Sequence, residues 1–143
     1  TKPGGLMAAC EWDFKQGMQM FRVIWEALAA ANPKTTTADT QNTKLGAKGE
    51  LFETWKASGL TECESICLNI PLVFNSFDDF YLPTMATNSI TSRTINSLNP
   101  EEYKTFSSHL LTNIYPKDKE SEKTLGPFTL NARAWCVTGK VKP

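Results

Sequence analysis

The residues best placed to do chemistry are Glu11, Trp12 and Asp13. They close the apolar run Leu6-Met7-Ala8-Ala9-Cys10, which follows the turn residues Pro3-Gly4-Gly5. Glycine reaches positive φ at no steric cost and proline presets its own φ, so a tight turn is expected there. A short apolar run after a turn suits a strand covered on both faces, in the centre of a mostly parallel sheet. Ligands of such sheets bind at the carboxyl ends of the strands, which is where Glu11, Trp12 and Asp13 stand. Either carboxylate could serve as a base. Asp13 also suits the cap of a helix beginning at Phe14, and that structural role is the favoured one. Glu11 stays open between a base and a polar strand end.

Other reactive groups read as structural. Asp78 and Asp79 follow Ser76, so capping and the helix dipole account for them. Cys63 and Cys67 share a face of an expected strand, but no second ligand pair accompanies them, and no metal is expected. His109, the only histidine, lies between Ser108 and Leu110, has no obvious serine, cysteine or carboxylate partner, and reads as a surface residue. The chain contains neither G-x-x-x-x-G-K-[ST] nor G-x-G-x-x-G after a strand.

The elements that must hold these residues follow from hydrophobic period. Phe14, Met18, Phe21, Trp25 and Leu28 recur at helical spacing, widened by Met20 and Ile24, up to Asn32-Pro33. This Met- and aromatic-rich face suits core packing, or a lid over an apolar substrate. Residues 34–44 are polar and patternless and read as a loop. A second helix is expected over 45–59, with Leu51, Phe52 and Trp55 on its apolar face. Gly59 and Leu60 should form a Schellman ending, while Gly46 and Gly49 weaken the first turns. Residues 61–74 alternate with period two, and Pro71 marks that strand for a sheet edge or a bulge.

Phe77, Phe80 and Tyr81 are the apolar members of a short helix that Pro83 should end or kink. Residues 84–98 show little pattern. Asn99-Pro100-Glu101-Glu102 is a helix start, and Tyr103, Phe106, Leu110 and Ile114 carry its stripe to Pro116. The charged run 117–123 reads as a loop, and 128–141 as the last strand. Strand, helix, strand, helices, strand is an α/β order, expected to form one domain over 1–143.

The totals narrow the function. The 143 residues hold 15 basic and 15 acidic side chains, so no electrostatically driven nucleic-acid or membrane-surface binder is expected. No apolar run nears the roughly 20 residues of a bilayer span, and no signal peptide is visible. Cys10, Cys63, Cys67 and Cys136 each fall in an expected strand, so buried, reduced thiols and a cytoplasmic location are expected.

Lys2-Pro3-Gly4-Gly5 before an apolar strand resembles the turn into the fifth strand of class I S-adenosylmethionine-dependent methyltransferases. The resemblance continues collinearly. Gly49-Glu50-Leu51-Phe52 through Trp55-Lys56-Ala57-Ser58-Gly59-Leu60 is similar to the helix after that strand. Residues 62–72 resemble the sixth strand, and Phe77-Asp78-Asp79-Phe80-Tyr81 resembles the helix between the last two strands. Leu130-Asn131-Ala132-Arg133-Ala134-Trp135-Cys136-Val137-Thr138-Gly139 resembles the seventh strand, which the family sets antiparallel beside the sixth. The fold implied is a partial Rossmann-like sheet, its last three strands with the final pair antiparallel, and flanking helices.

The family holds its cofactor with a glycine-rich loop after the first strand and an acidic residue ending the second. Nothing in this sequence matches either, so no cofactor-contacting residue carries over, and S-adenosylmethionine is not expected to bind this chain alone. What the resemblance implies is the substrate side: Trp12, Phe14, Met18, Phe21, Phe77, Phe80 and Tyr81 as pocket positions for a small-molecule substrate, with Glu11 and Asp13 as weak candidates for a base. The expected protein is a truncated methyltransferase, the carboxyl-terminal half of the fold, inactive alone and completed by a missing amino-terminal half. The alternative is a non-enzymatic binding or assembly domain. The strand at residues 6–10 would then present an unpaired apolar edge, which predicts a homodimer formed there or by an exchanged element. A small α/β ligand-binding protein unrelated to that family is the third reading.

Overall fold

The computed structural model describes residues 1–35, 46–86, 88–115 and 125–142. It contains α-helices and a three-stranded antiparallel sheet. The chain forms two compact units: Thr1–Gln19, Ala38–Pro71 and Asn131–Pro143 make the first, Met20–Thr37 and Leu72–Leu130 the second.

The first unit is built on the sheet. Strand β1 is Leu6–Trp12, β2 is Thr61–Phe74 and β3 is Phe128–Lys140, in the order β1-β3-β2. β1 and β3 are antiparallel, with Leu6 opposite Lys140 and Trp12 opposite Ala134. The expectation of a central strand in a mostly parallel sheet is therefore corrected. β1 is an edge strand, with no strand of the described sheet on its outer side, and Leu6 is 67% exposed. An apolar run alone cannot separate these two settings, since both accept Leu, Met and Ala. β2 matches its expected bounds and forms the opposite edge, the setting expected for a strand that contains Pro71.

The thiol expectation is corrected at the same place. Cys10 and Cys136 form a disulfide across β1 and β3, and Cys67 is exposed rather than buried. Asp13 N–H donates to the Arg133 carbonyl, and Val141 N–H donates to the Gly5 carbonyl. The alternation of an antiparallel ladder then makes Cys10 and Cys136 a non-hydrogen-bonded pair, the type whose side chains approach most closely. Their Cα atoms are 4.0 Å apart.

Helix α2 is Glu50–Ala57, shorter than expected, because Gly49 stands before it at φ 86°. Its ending is the expected Schellman motif. Gly59 N–H donates to the Lys56 carbonyl and Leu60 N–H to the Trp55 carbonyl, with Gly59 at φ 84°. Leu51 is buried. An ideal Cβ on Gly139 of β3 would stand 3.4 Å from Trp55 Cε3 and 3.2 Å from Cys63 Sγ, so the helix ending lies close against that strand.

The second unit is a helical core. Helix α1 is Gln19–Ala31, α3 is Phe77–Ala86, α4 is Ile90–Asn96 and α5 is Pro100–Ile114. Val23, Ile24, Ala27 and Leu28 pack with Phe80, Ile95, Phe106, Leu110 and Ile114. The helix expected from Phe14 starts instead at Gln19, so Phe14 and Met18 lie outside it and the buried face shifts to Val23, Ile24, Ala27 and Leu28. Pro83 does not end α3, where the Thr84 hydroxyl donates to the Phe80 carbonyl. Helix α4 falls in the patternless stretch. It is short and polar, yet buries Thr91, Ser92 and Ile95 behind a Ser89 cap.

The start of α5 is as expected. Asn99 Oδ1 accepts from Glu101 and Glu102 N–H at 3.0 Å, and Glu102 reaches back to Asn99 N–H at 2.9 Å. Asn32 Nδ2 donates to the same Glu102 carboxylate at 2.7 Å, tying the end of α1 to the cap. Asn99→Ala is expected to cost about 1 kcal/mol, read as a lower urea midpoint at unchanged slope. Of the expected loops, Pro33–Thr35 forms a 3-10 turn. Residues 36–44 and 117–123 lie outside the described residues.

Candidate functional site

The chemistry of the first unit gathers where β1 ends. Asp13 N–H donates to the Arg133 carbonyl at 2.9 Å, carrying the ladder one residue past Trp12. The chain then turns tightly, and Gly17 N–H donates to the Asp13 carbonyl at 2.8 Å. An ideal Cβ on Gly17 would stand 2.5 Å from Arg133 Cβ, so only glycine fits this turn beside β3.

The Asp13 side chain is 2% exposed. Its Oδ1 accepts from Gln16 N–H at 2.9 Å. Its Oδ2 accepts from Arg133 Nε at 2.9 Å and Trp135 Nε1 at 3.3 Å. Arg133 and Trp135 are two apart on β3, so both project to the face that Asp13 shares. Asp13 therefore does not cap a helix. It caps the turn after β1 and neutralises Arg133. A carboxylate with both oxygens committed to three donors is a fixed anchor, not a base free to take a proton from a substrate.

Glu11 differs. It lies opposite Trp135 in the register and is half-buried, and its carboxylate makes no hydrogen bond or ion pair among the described residues. Two cations approach the Trp135 ring: Arg133 Cζ at 5.9 Å and Lys48 Nζ at 6.0 Å from its centroid. Glu11, Trp135, Arg133 and Lys48 thus combine an uncommitted carboxylate, an indole and two positive groups. Nearby, Lys15 Nζ bonds Glu50 Oε1 at 3.0 Å, and that ammonium holds the Glu50 carboxyl below the usual range, aided by Ala47 N–H. Trp12 and Phe14 are each 40% exposed, while Met18 is buried.

The aromatic candidates of the second unit divide. Phe80 is buried in the core, edge-on to Phe74 at 5.2 Å and to Phe128 at 5.9 Å. Phe77 stacks on Tyr81 at 5.2 Å, and the Tyr81 and Tyr103 hydroxyls are 3.3 Å apart. Burial pushes the Tyr81 phenol up, and the Tyr103 hydroxyl adds to it. Phe21 is half-buried on α1. The structure thus brings Glu11, Trp12, Asp13, Phe14 and Met18 into the first unit, and Phe21, Phe77, Phe80 and Tyr81 into the second.

Among the described residues no group of three or more His, Cys, Asp or Glu side chains could hold a metal ion. His109 is exposed on α5, and Asp79 bonds Asn75 N–H at 3.0 Å beside the Ser76 cap. No helix among the described residues is long and apolar enough to cross a membrane. Arg133 and Trp135 are the partners that sequence reasoning missed. The available signal was an arginine and a tryptophan alternating with small residues on a strand, which need a polar partner once buried. No protein-family model matches the chain, and no curated protein matches it.

Proposed function

We propose that this chain supplies the substrate side of a class I S-adenosylmethionine-dependent methyltransferase-like fold, and that it does not bind the cofactor on its own. The observation that carries this reading is the strand order. The resemblance calls for an antiparallel last strand beside the one before it, and β3 stands beside β2, between it and β1. The Lys2-Pro3-Gly4-Gly5 turn leads into β1 as the same resemblance requires.

The residues present do not fit the cofactor. The sequence holds no glycine-rich loop of the required type, and Asp13, the acidic residue ending β1, has both oxygens committed. No chemical step is therefore routed through it. On the substrate side, methyl transfer needs chiefly an aligned acceptor. Trp12 and Phe14 offer exposed aromatic surface for a small molecule, and Glu11 is the carboxylate available to orient or deprotonate it. Calorimetric titration with S-adenosylhomocysteine tests this reading. No binding heat is expected, whereas one-to-one binding at micromolar affinity would overturn it.

The alternative of a dimeric assembly domain is favoured by one feature, the open outer edge of β1 with Leu6 and Met7 exposed. It expects a homodimer in light scattering, and a monodisperse monomer at high concentration would contradict it. The proposal retains a cytoplasmic location, now supported by the free thiols of Cys63 and Cys67 alone.

A further inference from the structure

We propose that the Cys10–Cys136 disulfide is a redox clasp, opened by a dithiol reductant at the exposed Cys10 and loosening β1 from β3 when it opens. Three observations carry this. First, the bond joins directly opposed positions of an edge strand and its one neighbour in the sheet. Among the described residues β1 has no ladder on its other side, so its attachment within the sheet depends on β3. Second, the two cysteines differ in access: Cys10 is exposed, and Cys136 is 9% exposed. Third, the free thiols do not adjoin Cys10 in the sheet. Cys63 and Cys67 belong to β2, and β3 lies between β2 and β1.

The exchange balances with an external dithiol. One reductant thiolate attacks Cys10 Sγ, the S–S bond breaks, and Cys136 leaves as a thiolate that takes up a proton. The second reductant thiol then attacks the mixed disulfide and frees Cys10 as a thiol. The reductant ends as its own disulfide, two electrons having passed to the protein. This step rests on the cytoplasmic location proposed above: disulfides in a reducing compartment are characteristically transient or redox-sensing, which fits an accessible bond on an edge strand. Opening removes the covalent tie in the middle of β1. It leaves the Asp13–Arg133 pair at one end and the Gly4 N–H bond to the Val141 carbonyl at the other. The edge strand then opens more easily while the helical core stays folded.

The test is amide hydrogen exchange on the full chain with and without dithiothreitol, paired with thiol alkylation and mass analysis. Two labelled thiols are expected before reduction and four after. Reduction should speed exchange at Met7, Ala9 and Glu11, the β1 residues in hydrogen-bonded pairs, by about tenfold or more, with α5 unchanged. The C63S/C67S variant should respond in the same way. Four free thiols in the unreduced chain would overturn the proposal, as would unchanged exchange in β1. Equal acceleration in α5 would also overturn it, making the bond a staple of the whole fold.

Discussion

Phe80→Ala is expected to cost about 3–5 kcal/mol of stability, a loss on the order of 10–20 °C in thermal midpoint. Phe80 is 2% exposed and sits within a ring of aromatic neighbours, Phe74, Phe77 and Phe128. Removing the ring forfeits its transfer energy and leaves a cavity among residues fixed by three helices and the start of β3. Each lost edge-to-face pair adds about 0.5–1.5 kcal/mol. The substitution separates two roles for the same residue. A core ring governs unfolding, while a pocket ring governs ligand binding with little effect on stability. Tyr81→Phe gives the contrast: it removes only the hydroxyl facing Tyr103 and should shift stability by about 1 kcal/mol or less. A Phe80→Ala midpoint within about 2 °C of wild type would place Phe80 outside the core.

Asp13→Asn is expected to cost about 2–4 kcal/mol. The change keeps shape but removes the charge facing Arg133 and turns one acceptor oxygen into a donor. Gln16 N–H, Arg133 Nε and Trp135 Nε1 then compete for one oxygen. The figure stands below the full cost of breaking a buried pair because the Arg133 side chain is 29% exposed and water can take up part of its charge. A double-mutant cycle with Arg133→Gln should show coupling of about 1–3 kcal/mol. Additive losses would mean that the two side chains stabilise the fold independently. If Asp13 were instead a base held for catalysis, Asp13→Asn would leave stability near wild type.

What was legible in the sequence was local. The period of 61–74 gave β2, the Asn99 box gave the start of α5, and Gly59 gave the end of α2, each from residues a few positions apart. What was not legible depended on distant pairing. The disulfide links residues 126 apart in sequence, and it exists only because one register sets Cys10 opposite Cys136. Arg133 reaches Asp13 across 120 positions, and that contact holds Asp13 and the turn after it outside α1. The apolar run of β1 suits a covered strand and an edge equally well, so its place in the sheet had to come from the topology. Helix α4 escaped because its buried residues include Thr91 and Ser92, which carry no apolar period. At the candidate site the acidic pair was visible and a structural role for Asp13 was favoured, but as a helix cap and not as the partner of Arg133 and Trp135. Only the partners on β3 show that Asp13 is committed and Glu11 is not.

The strand order supports the functional reading, so it is the quantity to measure. In solution NMR, short Hα–Hα contacts are expected between Leu6 and Lys140, Ala8 and Thr138, Cys10 and Cys136, and Trp12 and Ala134, the non-hydrogen-bonded pairs of the β1–β3 ladder. Contacts between β2 and β3 should join the start of one to the end of the other, bringing Thr61 near Lys140. Observation of both sets would keep the last strand between the first two and antiparallel beside β2, the second of which the methyltransferase-like reading requires. Direct pairing of β1 with β2 would contradict it and remove the support for that reading.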